Sequence, residues 1–137
     1  MSQAIENLIK AQKYAMSVRP QVAGFPVLAE ALRLAGVTRN LWSLPSCQSI
    51  YLTKFGNVVQ QGVPLVSQTS DVSEFDKEAL IRALRTDQAG ESSFLEFLKS
   101  SWNAGVIGYD VDFEKRTCTY FGAKGESYVE SYPAVEL

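Results

Sequence analysis

The sequence predicts an α+β fold: a mainly antiparallel sheet with about four helices packed on one face. Two observations carry this expectation. Helix-period runs, capped by Ser or Asp and stopped by Gly or Pro, alternate with period-two runs, of which Ile107 to Phe113 is the cleanest. The same order of elements then occurs twice along the chain. A length of 137 residues, 46% hydrophobic and 20% charged, suits one compact domain over 1–137 with a core of ordinary size.

From Ser2 to Val18 apolar residues recur at Ile5, Leu8, Ile9, Ala15 and Met16, close to the period of a half-buried helix, and Pro20 ends it. Pro26 suits the first turn of a second helix, which runs through Leu28, Ala29, Leu32 and Ala35 to the stop Gly36. Arg39 to Leu44 and Ser49 to Phe55 read as strands, broken at Pro45-Ser46. Gly56-Asn57 makes a turn. A weak extended run follows at Val63 to Val66, where Pro64 restricts it to an edge strand or a loop.

Asp71 or Ser73 can cap a third helix through Phe75, Ala79, Leu80, Ala83 and Leu84, with Asp76 and Glu78 early and Arg82 and Arg85 late, as the helix dipole favours. Ser92 or Ser93 caps a fourth, carrying Phe94, Leu95, Phe97, Leu98 and Trp102, and Gly105 stops it. Ile107, Tyr109, Val111 and Phe113 then point one way and Gly108, Asp110, Asp112 and Glu114 the other. A tight turn at Glu114-Lys115 sets Val111 opposite Cys118, Tyr109 opposite Tyr120, Asp110 opposite Thr119 and Asp112 opposite Thr117. In that register one face is apolar and the other polar. Gly122 to Gly125 turns the chain into a last strand, Ser127 to Tyr132.

An offset of 69 carries Phe25 onto Phe94, Leu28 onto Phe97 and Ala35-Gly36-Val37 onto Ala104-Gly105-Val106. The helices before them match as Glu6–Ala11 against Glu78–Ala83 once a three-residue length difference is allowed. The reading is an internal ααββ duplication with pseudo-repeats over 2–57 and 73–133, folded about one pseudo-twofold core.

Composition excludes several functions. A formal net charge of -2 gives no basic field, so nucleic acid is not an expected partner. With no histidine, the usual zinc sites and His-based acid–base mechanisms are out. Cys47 and Cys118 form no Cys-x-x-Cys pair, and Cys118 falls on an apolar strand face, so both read as packing residues. No secretory leader and no spanning apolar run is seen, which predicts a cytoplasmic protein that stays off membranes. No Gly-x-Ser-x-Gly elbow or phosphate loop is present.

Two constellations remain. Asp110, Asp112 and Glu114 place three carboxylates on one strand face, a spacing that could take Mg²⁺ or Ca²⁺, although alternation alone produces such a face. Trp42, Tyr51, Trp102, Tyr109 and Tyr120, with Phe121, cluster about the two hairpins as candidate pocket residues. Aromatics at such spacing more often simply fill a core.

The run Ala104-Gly105-Val106-Ile107-Gly108-Tyr109-Asp110-Val111-Asp112-Phe113, followed by Arg116 to Gly122 and Tyr128-Val129-Glu130-Ser131-Tyr132-Pro133, resembles the YbcV-like family of small bacterial and prophage proteins, a domain of unknown function sometimes labelled a phage envelope protein. The resemblance covers nearly the whole chain. It implies a single cytoplasmic α+β domain of prophage or enterobacterial origin and supplies no catalytic residues or cofactor.

The expectations are therefore a non-enzymatic binding or protein-interaction module, with a homodimer that pairs exposed sheet edges or apolar helix faces as its candidate assembly and no catalytic, cofactor-binding or metal residues assigned. The first alternative is a small-molecule sensor with an aromatic pocket between the halves. The second is a metal-assisted hydrolase using Asp110 and Asp112.

Overall fold

The computed structural model describes residues 1–137. Helices α1 (Gln3–Val18) and α2 (Phe25–Leu34) precede strands β1 (Val37–Ser43), β2 (Gln48–Thr53) and β3 (Val58–Gln61). Helices α3 (Lys77–Gln88) and α4 (Phe94–Asn103) then precede β4 (Val106–Asp112), β5 (Thr117–Gly122) and β6 (Ser127–Ser131). The strands form one antiparallel sheet in the order β3-β2-β1-β4-β5-β6. The helices pack in pairs, α1 with α2 and α3 with α4, and cover the face that carries Tyr51, Tyr109, Val111, Cys118 and Tyr120. The opposite face is open, with Val59 57% and Val129 55% exposed.

Local chemistry accounts for each boundary. The Ser2 side chain accepts from the Ile5 N–H at 3.2 Å and opens α1. In α2 a proline occupies the first turn, where its missing N–H costs nothing. Ser93 and Glu96 close a reciprocal capping box on α4, at 3.1 and 2.8 Å. The third helix begins later than the sequence suggests. Neither Asp71 nor Ser73 caps it; the Asp76 carboxylate accepts from the Ala79 N–H at 3.0 Å. The Asp76 N–H in turn donates to the Ala104 carbonyl at 2.7 Å, so the preceding segment is held straight against the end of α4.

The internal duplication is exact over most of its length. Helices α2 and α4, strands β1 and β4, and strands β2 and β5 begin and end 69 residues apart. The bulge at Val37/Arg39 recurs at Val106/Gly108. The left-handed residues Gly36, Cys47 and Gly56 recur as Gly105, Arg116 and Gly125. Each half contributes three strands, so the repeat is ααβββ. Leu41 pairs with Asp110, its own counterpart, and Asn40↔Val111 mirrors Trp42↔Tyr109. A pseudo-twofold axis therefore passes between β1 and β4.

The β4–β5 register matches the sequence reading at all four pairs: Val111↔Cys118, Tyr109↔Tyr120, Asp110↔Thr119 and Asp112↔Thr117. Three details differ. The bulge removes Ile107 from the alternation, and fully buried Val106 takes its inward place. Glu114 lies in the turn beyond β4, not on the strand. The extended run at Val63 to Val66 is not a strand; β3 forms earlier, at Val58–Gln61, while the Leu65 and Val66 N–H groups donate to the Pro45 carbonyl.

The symmetry breaks at the outer strands. Tyr51 pairs with Val58, whereas its counterpart Tyr120 pairs with Tyr128, one residue further along. One residue of slip exchanges the faces of a strand, so Tyr128 and Glu130 turn inward where the first half presents Val58 and Gln60.

Two equivalent-looking glycines should separate on mutation. Gly105 has φ +85, and a Cβ there would meet the Glu74 carbonyl oxygen at 2.5 Å; Gly125 has φ +86 and nothing within 4 Å. Chemical denaturation should show Gly125→Ala costing about 1 kcal/mol from backbone strain alone, and Gly105→Ala clearly more. Equal losses would contradict this packing.

Candidate functional site

A cavity of about 510 Å³ lies between the two helix pairs and the inner face of the sheet. Repeat-related residues line it in pairs: Phe25 with Phe94, Leu28 with Phe97, Tyr51 with Tyr120, and Asn40 with Tyr109. Trp42 stacks on Tyr109 with ring centroids 5.7 Å apart and meets Phe94 edge-on at 5.3 Å. Tyr109 and Tyr120 lie 5.5 Å apart. These spacings are those of favourable aromatic pairs, which fix the walls in place.

The polar groups inside divide into satisfied and free. Buried Asn40 accepts from the Trp42 indole N–H at 2.7 Å and donates to the Ile50 carbonyl at 3.3 Å. Gln12 and Gln60 bond to each other through both amides, at 2.9 and 3.2 Å. Nothing hydrogen-bonds to the Tyr109 hydroxyl. Burial comes first among the causes that raise its pKa, followed only by nearby ionisable groups, so the phenol stays protonated and neutral. Burial does the same to Tyr120 and, less strongly, to Tyr51. The interior therefore offers aromatic surface and O–H groups without charge.

Charge appears at the mouth. A hollow of about 600 Å³ shares Arg19, Phe25, Asp87, Phe94, Glu130 and Tyr132 with the cavity and opens outward past Gly24 and Gly90. Phe25 closes one side of it against Tyr132, edge-on at 5.1 Å. The segment between α1 and α2 is tied to the end of α3: the Ala23 N–H donates to the Gln88 carbonyl at 2.9 Å, and the Gln21 amide to the Gly90 carbonyl at 2.9 Å. Glu130 is fully engaged, accepting from Arg85, from Gln88 at 2.8 Å and from Tyr128 at 3.0 Å. Burial opposes its ionisation, but the hydrogen bonds from Arg85, Gln88 and Tyr128 outweigh it and lower the pKa. Asp87 differs: burial raises its pKa, opposed by the charge of Arg19 and by Ser92 beside it.

Four of the aromatic residues singled out from sequence, Trp42, Tyr51, Tyr109 and Tyr120, line this cavity. Trp102 does not; it packs against the core from α4. Phe121 points to the open face of the sheet and is 38% exposed. Nothing local in the sequence marked Arg19, Asp87 and Glu130, which come from three separate elements.

The strand carboxylates are occupied by the chain itself. Both Asp110 oxygens accept from Arg39, one of them at 3.1 Å, and Asp112 accepts the N–H groups of Glu114 and Lys115 at 3.1 and 3.0 Å, closing the β4–β5 turn. No group of three His, Cys, Asp or Glu side chains is placed to hold a metal ion. Cys47 and Cys118 are both free and buried. Burial raises both thiols, Cys118 to about 12, so neither is a thiolate near neutral pH. No helix is long and apolar enough to cross a membrane.

The sequence profile of the family described as "Protein of unknown function (DUF1398)" matches residues 12–131. The chain belongs to the DUF1398 family. Relatives include uncharacterized proteins Mb2035 of Mycobacterium bovis and Rv2012 of Mycobacterium tuberculosis, each 54% identical over 136 residues, 99% of this chain and 83% of theirs. Membership in DUF1398, with mycobacterial relatives, corrects the resemblance to the YbcV-like prophage proteins. The segments that suggested it are β4, β5 and β6, whose alternation and glycine turns are demanded by the hairpins. Within the DUF1398 match lie β1 to β6 and every aromatic residue lining the cavity except Tyr132.

Acid titration tests the mouth. The pKa of Glu130 is lowered on folding, so its contribution is present above the ordinary glutamate value, about 4.3, and is lost as pH falls through the lower folded value. Glu130→Gln should cost about 1 kcal/mol at pH 7, discounted for the half-exposed Arg85, and progressively less as pH falls below the ordinary glutamate value. A cost that does not fall with pH would contradict the hydrogen-bonded carboxylate.

Proposed function

We propose that this protein is a non-enzymatic binding module that takes one small, flat, largely apolar molecule into the cavity between its two halves. The observation that carries the reading is the free Tyr109 hydroxyl, 8% exposed on its residue, facing a cavity of about 510 Å³ walled by Trp42, Phe94 and Tyr120. The hydroxyl oxygen is not sealed from solvent, so a ligand acceptor at that position takes the place of water as its partner. The volume falls in the range of small-molecule sites, about 300–1,000 Å³, and the balance of aromatic walls with a few polar groups is the one such sites use.

Turnover has no support in the same residues. The tyrosines are held neutral, the thiols protonated, and Asp110 and Asp112 are tied to Arg39 and to the turn backbone. Both walls of the cavity come from one chain, so the reading needs no second copy, and the shared sheet makes the two halves one working domain. A homodimer through the open sheet face is compatible with this role and separate from it.

Leu28 lines the cavity from α2, and Leu28→Trp fills it. An anilinonaphthalene sulfonate dye should bind the native chain with one-to-one stoichiometry and enhanced emission. The filled variant, with an unchanged circular dichroism spectrum, should lose at least about tenfold in affinity, the loss expected from occluding such a pocket. Equal dye binding by both proteins would sink the cavity as a binding site.

A further inference from the structure

We infer that the ligand carries a zwitterionic head of the α-amino-acid type on an aromatic body, with the head in the vestibule between Arg19 and Asp87 and the ring in the cavity. This rests on the binding role proposed above and names the class of ligand.

The vestibule is built with one pole of each sign. Its positive pole is Arg19, half-buried and in no ion pair within 4 Å, laid across the start of α2. A Cβ on Gly24, the N-cap of α2, would lie 2.6 Å from the Arg19 Nε and 2.3 Å from the Pro20 carbonyl oxygen, so only glycine leaves room for that side chain. No side chain caps α2, and its first turn has no acidic residue. A cation placed at the positive end of a helix, with its N–H groups uncapped, is unfavourable alone and favourable beside an anion. The chain supplies no such anion in contact.

The negative pole is Asp87, in the last turn of α3, where the helix dipole is also negative. It is half-buried, and burial disfavours its charge, offset in part by the charge of Arg19 across the hollow and by Ser92. It too is in no ion pair, although it lines the same hollow as Arg19. The neighbouring Glu130 already accepts hydrogen bonds from Arg85, Gln88 and Tyr128. A carboxylate set against Arg19 and the α2 N-terminus, with an ammonium set against Asp87, completes both poles at once. A singly charged ligand would complete one and leave the other buried beside a like charge. Beyond the head, the cavity presents Trp42, Phe94 and Tyr109 to a planar ring, and the Tyr109 hydroxyl to an acceptor on it.

Titration calorimetry with four indole probes separates the possibilities: L-tryptophan (both charges), indole-3-propionate (anion only), tryptamine (cation only) and indole (none). L-Tryptophan should bind at least about tenfold tighter than either singly charged probe, the size of one charge-assisted contact. Arg19→Gln should weaken L-tryptophan and indole-3-propionate and spare tryptamine. Asp87→Asn should weaken L-tryptophan and tryptamine and spare indole-3-propionate. If indole or the singly charged probes bind as well as L-tryptophan, the zwitterion inference is overturned and the cavity reading stands. If no probe and no dye binds the native chain, both are overturned.

Discussion

The antiparallel pairing of β1 with β4 about Leu41 and Asp110 is the contact on which the rest of the molecule depends. It joins two three-stranded halves into one sheet and fixes a pseudo-twofold axis through its centre. Each helix pair then packs on the half it belongs to. The strands that meet at the axis bring Asn40, Trp42, Tyr109 and Val111 to the inner face, where they line the cavity. The hollow draws its walls from both halves, and the large aromatic side chains define them without closing it.

Departures from the symmetry make that hollow specific. Asn40 and Tyr109 occupy equivalent positions, yet the amide is consumed by Trp42 and Ile50 while the phenol has no partner. The slip of β6 relative to β3 turns Glu130 inward, where Arg85, Gln88 and Tyr128 hold it. The opposite corner instead holds the neutral Gln12–Gln60 pair. One end of the cavity is therefore neutral, the other charged. A symmetric ancestor of such a scaffold would have two like ends.

Much of the scaffold was legible in the residues. The duplication could be read from matched glycine stops and helix faces, and the β4–β5 register from alternation and turn length, because there the inward residues are apolar and the outward ones polar. Strand β1 obeys no such rule: Asn40 points in and Leu41 points out, since the indole N–H satisfies the amide. Strand β3 was missed because Gln60 and Gln61 carry no strand signal, and its first residue alone is buried. The aromatic walls were visible as residue types, but whether they enclose space or fill it depends on how two helix pairs straddle an axis. The mouth was invisible, because Arg19, Asp87 and Glu130 are far apart in sequence and meet only through the α3–loop contacts and the β6 slip.

The most direct test of the central claim is crystallographic: a crystal of the native chain pressurised with xenon, which occupies apolar cavities of protein interiors. A xenon peak in the cavity lined by Leu28, Tyr51, Tyr109 and Tyr120, with the Tyr109 hydroxyl free of protein partners, is the predicted result. Absence of xenon, with the two helix pairs drawn together and side chains filling that space, would contradict the account.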